Sequence, residues 1–173
     1  MAKFEIENGV LLKCIPEKDE ICVTVPEGVT SIGEYAFHDC SYLQEICLPE
    51  GVTIIGENAF SLCLELQKIN LPNSVTEIVF GAFSDCPSLQ KIWFPDNLSR
   101  IQSSMLYGCT SLHEVHLPDS LIEIDAGAFL GCTALPEIHL PDGLTKIGKE
   151  VFSGCTALQK IHFPDGLTEI GAL

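Results

Sequence analysis

Six of the nine cysteines in this 173-residue chain recur at one fixed interval, and thiolates bind soft metal ions. These six are Cys40, Cys63, Cys86, Cys109, Cys132 and Cys155, each 23 residues after the last. A zinc site needs four ligands that converge tetrahedrally, whereas residues at one repeat position point in parallel. The interval therefore favours buried structural thiols over a metal site. Cys14 and Cys22 lie outside the series, and we predict that they pair near the N-terminus.

A row of histidines follows the same interval and could also carry chemistry. Its members are His116, His139 and His162. Equivalent residues of stacked strands lie about 4.8 Å apart, so the row could hold a transition metal or respond to pH. The alternative is an exposed polar ladder, because linear rows rarely chelate a metal well. The residue types alone leave both interpretations open.

The histidine column continues towards the N-terminus as Trp93, Asn70 and Cys47. An exposed aromatic side chain on a rigid sheet is often a binding anchor, because it buries a large area at a small entropic cost. We therefore expect Trp93 to contact a ligand, together with Asn70 and the histidines. A register shift of one residue would place Trp93 in the core instead.

These rows belong to a repeat of 23 residues without insertion or deletion. Proline marks the interval at Pro26, Pro49, Pro72, Pro95, Pro118, Pro141 and Pro164. A phenylalanine column comprises Phe37, Phe60, Phe83, Phe129 and Phe152, with Leu106 in the gap. Leucine and isoleucine columns begin at Leu43 and Ile32 and keep the same interval. So strict a period predicts identical turns of one spiral, in which equivalent residues become neighbours.

Within each unit the pattern predicts a short strand, a tight turn, and a second short strand. Residues 45–48 alternate, with Ile46 and Leu48 on one face, as in a half-buried strand. A Pro-x-Gly turn follows in most units, since proline presets the first turn angle and glycine accepts the strained one. Residues 29–32 form the second extended piece. Residues 34–37 are then expected to return the chain through a helical or 3₁₀ turn.

The order F-x-x-C-x-x-L-x-x-I-x-L-P resembles the BspA-like leucine-rich-repeat family, and the resemblance covers residues 21–173. It implies a leucine-rich-repeat solenoid, β-rich and of the α/β class, with a parallel β-sheet on one face and short strands with 3₁₀ or helical turns on the other. Residues 1–24 are expected to form an N-terminal cap. Residues 25–173 then make about six and a half units, in one domain with that cap. The family resemblance implies cell-surface adhesion and protein binding in bacteria.

The net charge of −15 disfavours nucleic acids and anionic membranes as partners, because their phosphates are repelled. No apolar run approaches the length of a membrane span, and residues 1–7 lack the apolar stretch of a signal peptide. The compartment is therefore undecided, because residues 1–7 do not indicate export whereas the family resemblance implies the cell surface.

Catalysis is not expected from the motifs of this chain. Phosphate loops, nucleophile elbows and HExxH motifs are absent from the sequence, and serine, histidine and aspartate occur at repeat positions expected to face apart. We expect a non-catalytic module without a cofactor that binds a protein or glycan. The last unit lacks a polar capping segment, so association with a second copy is a further expectation.

Overall fold

The computed structural model describes residues 1–172 as a spiral of short parallel strands joined by turns. An N-terminal hairpin is formed by β1 (Lys3–Glu7) and β2 (Val10–Ile15). Each coil then contributes one three-residue strand and one two-residue strand. The three-residue strands are β3 (Cys22–Thr24), β5 (Glu45–Cys47), β7 (Lys68–Asn70), β9 (Lys91–Trp93), β11 (Glu114–His116), β13 (Glu137–His139) and β15 (Lys160–His162). The two-residue strands are β4 (Ser31–Ile32), β6 (Ile54–Ile55), β8 (Glu77–Ile78), β10 (Arg100–Ile101), β12 (Glu123–Ile124), β14 (Lys146–Ile147) and β16 (Glu169–Ile170).

Strand pairing places residues 23 positions apart side by side. Ile46 of β5 pairs with Ile69 of β7, and Ile32 of β4 pairs with Ile55 of β6. The two-residue strands form one sheet in the order β1-β2-β4-β6-β8 and another in the order β10-β12-β14-β16. The three-residue strands divide into β3-β5-β7, β9-β11 and β13-β15. The predicted in-register solenoid is thereby confirmed.

The phenylalanine column forms the centre of the core. Phe37, Phe60, Phe83 and Phe129 have no exposed surface. The rings of Phe37 and Phe60 are stacked with centroids 5.0 Å apart, and those of Phe60 and Phe83 with centroids 5.2 Å apart. Leu106 is fully buried where the column lacks a ring. Each coil therefore buries its apolar face against its two neighbours, as repeat proteins require.

The N-terminal hairpin occupies the open edge of the first coil. Asn8 and Gly9 connect its strands with φ angles of 50° and 80°, values typical of a tight hairpin turn. Strand β2 pairs in parallel with β4, and Phe4 of β1 packs partly against the core. The edge of the first two-residue strand is thus covered by chain rather than left free.

The chain does return through residues 34–37, but as single turns rather than the predicted helical or 3₁₀ turn, with i→i−3 bonds from Ala36 to Gly33 and from His38 to Tyr35. The amides of Tyr35, Phe37 and Asp39 donate to carbonyls of the next coil at 3.0, 2.7 and 3.0 Å, instead of bonding along a helix. Two positions in every coil also have a left-handed backbone, which a right-handed helix cannot contain. They are Tyr35, Asn58, Gly81, Ser104, Gly127 and Glu150, and Asp39, Leu62, Asp85, Gly108, Gly131 and Gly154. Within residues 1–172 no segment is helical.

The last coil leaves apolar side chains uncovered. Phe163 is 40% exposed and Ile170 is 49% exposed, whereas the equivalent Ile147 is fully buried. Phe152, Leu158 and Ile161 are only partly buried. Association with a second copy through this end stays a prediction.

Replacing Leu62 with glycine should relieve backbone strain, because Leu62 has a φ of 58°. Leu64 offers a matched control, since it lies two residues away and is 43% exposed against 37% for Leu62, without a left-handed backbone. We expect Leu62→Gly to have a free energy of unfolding about 1–2 kcal/mol higher than Leu64→Gly. Urea denaturation measures both values. Equal values, or a lower one for Leu62→Gly, would show that the left-handed position costs nothing.

Candidate binding face

The outward side chains of the three-residue strands form one continuous surface, which we call the strand face. The middle residue of each strand points inward, as Ile46 and Ile92 do, so the first and third residues point outward. The first residues are Cys22, Glu45, Lys68, Lys91, Glu114, Glu137 and Lys160. The third residues are Thr24, Cys47, Asn70, Trp93, His116, His139 and His162. This is the orientation that the alternating sequence predicts.

Trp93 is the most prominent aromatic side chain of the strand face, with 62% of its surface exposed. It is the register partner of His116. On its other side lies a groove of about 270 Å³ lined by Asn70, Asn73 and Glu50, among others. Its neighbours in the chain, Ile92 and Phe94, are buried. The indole is therefore exposed to solvent, while the backbone that carries it is held by the buried side chains of Ile92 and Phe94.

Cross-strand ion pairs flank Trp93. The Lys68 ammonium lies 2.9 Å from the Glu45 carboxylate, and the Lys91 ammonium lies 2.5 Å from that of Glu114. Hydrogen bonds from Lys91 and, to a smaller extent, from Trp93 lower the pKa of Glu114. All these groups are exposed, so salt screens the pairs and they add little stability. Their effect is to hold the side chains beside Trp93 in a defined arrangement.

The histidines sit at the C-terminal half of the strand face. His139 and His162 are register partners on β13 and β15. They line a groove of about 370 Å³ together with His113, Glu137 and Lys160. His116 does not line this groove, and β11 belongs to a different hydrogen-bonded group from β13. The groove thus includes two of the three predicted histidines.

His113 joins this groove although the sequence analysis did not single it out. It lies three residues before His116, in the turn that precedes β11. Its repeat position is held by glutamine in three preceding units, at Gln44, Gln67 and Gln90. That break in a regular column is the sequence signal that could have identified it.

Metal binding by His116, His139 and His162 stays a prediction. Among the described residues, no three His, Cys, Asp or Glu side chains come together as a metal site requires. His139 and His162 are register partners, and two ligands leave a transition metal mostly bound by water.

Because the three ligands do not converge, we expect zinc titration to show equal and negligible uptake by the wild type and by His139→Ala. Equilibrium dialysis with metal analysis measures the uptake. Uptake by the wild type that His139→Ala loses would contradict this expectation and establish the ladder as a metal site.

Four of the six repeated cysteines are fully buried structural thiols. Cys63, Cys86, Cys109 and Cys132 have no exposed surface, and each Sγ donates to a carbonyl 26 residues earlier at 3.1–3.3 Å. Burial raises the pKa of the Cys86 thiol to about 12 and that of Cys109 well above its ordinary value. Such thiols are poor nucleophiles and poor metal ligands.

The predicted pair between Cys14 and Cys22 is wrong, since these two residues lie in different environments. Cys14 is buried, with 4% of its surface exposed, and its thiol interacts with that of Cys40. Cys22 is exposed on the strand face. The alternation of β3 turns Cys22 outward beside buried Val23 and so separates it from Cys14.

One serine and one histidine do meet, contrary to the expectation that these residue types face apart. Nδ1 of His38 lies 2.6 Å from Oγ of Ser61. The Ser61 hydroxyl donates to the Asn58 carbonyl at 2.9 Å, which leaves its oxygen to accept from His38. Ser61 is also 4% exposed. The hydroxyl is therefore committed within the fold, and a nucleophilic serine would need the opposite direction of bonding and an open approach.

The geometry agrees with a comparison to known families. The model of the BspA type leucine rich repeat region matches residues 19–135 and 122–173, in six copies. The chain belongs to this family. Among curated proteins, none is similar to the chain at a significant level. Within residues 1–172, no helix is long and apolar enough to cross a membrane.

Solved structures of bacterial leucine-rich-repeat proteins share the fold. A leucine rich cell surface protein from Faecalibacterium prausnitzii is 29% identical over 93% of this chain and 54% of its own, with a TM-score of 0.68. A leucine-rich repeat protein from Bacteroides ovatus is 30% identical over 96% of this chain and 52% of its own, with a TM-score of 0.69. The leucine rich repeat protein of T. pallidum is 27% identical over 92% of this chain and 88% of its own, with a TM-score of 0.66. The chain thus spans about half the length of the first two.

Proposed function

We propose that this protein is a non-catalytic binding module whose strand face contacts a protein or glycan, with Trp93 as its anchor. The observation that carries the proposal is the 62% exposure of Trp93 on a sheet whose other large apolar side chains point inward. A single large apolar side chain amid polar neighbours is the usual composition of an interface hot spot.

The rigidity of the strand face supports the same role. Ile92 and Phe94 are 1% and 3% exposed, so the backbone on both sides of Trp93 is anchored in the core. The His116 carbonyl accepts a hydrogen bond of 3.1 Å from the Phe94 amide, which ties β9 to β11. A ligand that covers Trp93 would therefore immobilise two side-chain torsions and little backbone, and the entropic cost of binding would be small.

The groups around Trp93 favour a polar ligand with hydrogen-bond donors. Asn70, Asn73 and Glu50 line the groove on one side, and Glu114 lies on the other. Amide and carboxylate groups beside an aromatic ring suit both a sugar and a polar protein surface, because the ring takes the apolar part and its neighbours take the hydroxyl or amide groups. The net charge of −15 favours a neutral or cationic partner.

A non-catalytic role is supported by the state of the reactive side chains. The thiols of Cys86 and Cys109 have raised pKa values, and the Ser61 hydroxyl donates to a backbone carbonyl. A cell-surface location is supported by similarity to the leucine rich cell surface protein from Faecalibacterium prausnitzii. Adhesion and surface location are therefore part of the proposal.

Binding to a panel of immobilised extracellular proteins and glycans tests the role of Trp93. For any ligand that the wild type retains, we expect Trp93→Ala to bind about 30-fold more weakly, as for an interface hot spot. Tyr42→Ala is the matched control, since Tyr42 is 72% exposed but lies in a turn outside the strand face. Surface plasmon resonance measures the affinities. Unchanged affinity of Trp93→Ala would contradict the proposal, as would an equal loss in Tyr42→Ala.

A further inference from the structure

Cys14 takes the place of phenylalanine in the N-terminal hairpin. It lies 23 residues before Phe37, and its amide donates to the Ala36 carbonyl at 2.7 Å. The amide of Phe37 donates in the same way to the Ala59 carbonyl, also at 2.7 Å. Strand β2 therefore adds a rung to the phenylalanine column, and that rung carries a thiol.

The thiol of the next coil reaches this rung. In later coils the cysteine Sγ donates to the carbonyl of the column residue 26 positions earlier, as Cys63 does to Phe37 at 3.1 Å. The residue 26 positions before Cys40 is Cys14. Here both side chains line the same cleft, and a second sulfur stands where a ring would be.

The interaction makes the two thiols unequal. The interaction with the Cys40 thiol, together with burial, raises the pKa of Cys14, whereas the interaction with the Cys14 thiol lowers the pKa of Cys40 although burial opposes the shift. The positive charge of Lys13 lowers the pKa of Cys40 further. Cys40 is therefore the group that ionises first and attacks a disulfide.

A cleft gives reagents access to the pair. Its volume is about 350 Å³, and Cys14, Cys40, Lys13, His38 and Tyr42 are among its lining residues. A phenylalanine at position 14 would carry a ring of six carbons where the thiol now stands. Cys14 and Cys40 are 4% and 8% exposed, whereas Cys63, Cys86, Cys109 and Cys132 are fully buried.

We propose that Cys14 and Cys40 form a reversible disulfide that closes the N-terminal hairpin covalently onto the first coil. The oxidant is a low-molecular-weight disulfide such as oxidised glutathione. The Cys40 thiolate attacks one of its sulfurs, forms a mixed disulfide and releases one thiolate. The Cys14 thiolate then attacks Sγ of Cys40 and releases the second. Two protein thiols lose two electrons and two protons, and the reagent is reduced to two thiols.

The disulfide would close a loop between positions 14 and 40 and would hold β2 on the solenoid. A closed loop reduces the entropy of the unfolded chain, so the oxidised form should be the more stable one. The end of the spiral that the hairpin covers would then be locked in an oxidising compartment and released in a reducing one.

Cys22 and Cys47 are the nearest competing pair. The two thiols interact on the strand face, but Cys22 is the register partner of Glu45, and Cys47 is that of Thr24. Their backbones are thus offset diagonally by two residues, roughly 7–8 Å, which exceeds the usual span of a disulfide.

Oxidation with a glutathione redox buffer tests the pairing. After alkylation of the remaining thiols and digestion, mass spectrometry should find a peptide that contains Cys14 linked to one that contains Cys40. The link should persist in Cys22→Ser and Cys47→Ser and be lost in Cys14→Ser and Cys40→Ser. A link between Cys22 and Cys47 alone, or full alkylation of Cys14 after oxidation, would overturn the proposal.

Thermal unfolding of the wild type gives a second readout that does not depend on whether the variants fold. The oxidised protein should unfold at a temperature several degrees higher than the same protein with a phosphine reductant. The difference should persist in Cys22→Ser and vanish in Cys14→Ser. Equal transition temperatures in the oxidised and reduced wild type would show that the hairpin is not closed by this bond.

Discussion

Contacts between residues 23 positions apart hold every part of this protein in place. Backbone amides of one coil donate to carbonyls of the next, both in the strands and in the return turns. The fully buried rings of Phe37, Phe60 and Phe83 stack along the same direction. Because each coil is too small to bury its own apolar face, its conformation is stable only against its neighbours. The position of every outward side chain follows from this stacking.

The sequence was sufficient to predict the architecture because the period is strict. A spacing of 23 residues without insertions determines which residues become neighbours, and the alternation around Ile46 determines which face is buried. The return segment was less predictable. Its conformation depends on left-handed residues such as Leu62 and Glu150, whose types do not favour that backbone, and on hydrogen bonds to another coil. Neither property can be seen in the local sequence.

The strand face was predicted in outline, and its details depended on the structure. The alternation placed Trp93 on the outside, and its register partner is His116. The hydrogen-bonded pairing of strands is interrupted between β11 and β13, which the even spacing conceals. The cleft shared by Cys14 and Cys40 was missed because Cys14 was not recognised as a member of the phenylalanine column. Residues that depart from the type of their repeat column, such as Cys14 and His113, thus line grooves that the regular repeat does not predict.

A double-mutant cycle on Phe60 and Phe83 tests the vertical stacking most directly. The free energies of unfolding of Phe60→Leu, Phe83→Leu and the double variant should reveal a coupling of about 0.5–1.5 kcal/mol, as for stacked aromatic pairs. The same cycle on Phe60 and Phe129, which lie three coils apart, should be additive within about 0.5 kcal/mol. Additivity in both cycles would contradict the account, because rings that do not touch cannot couple.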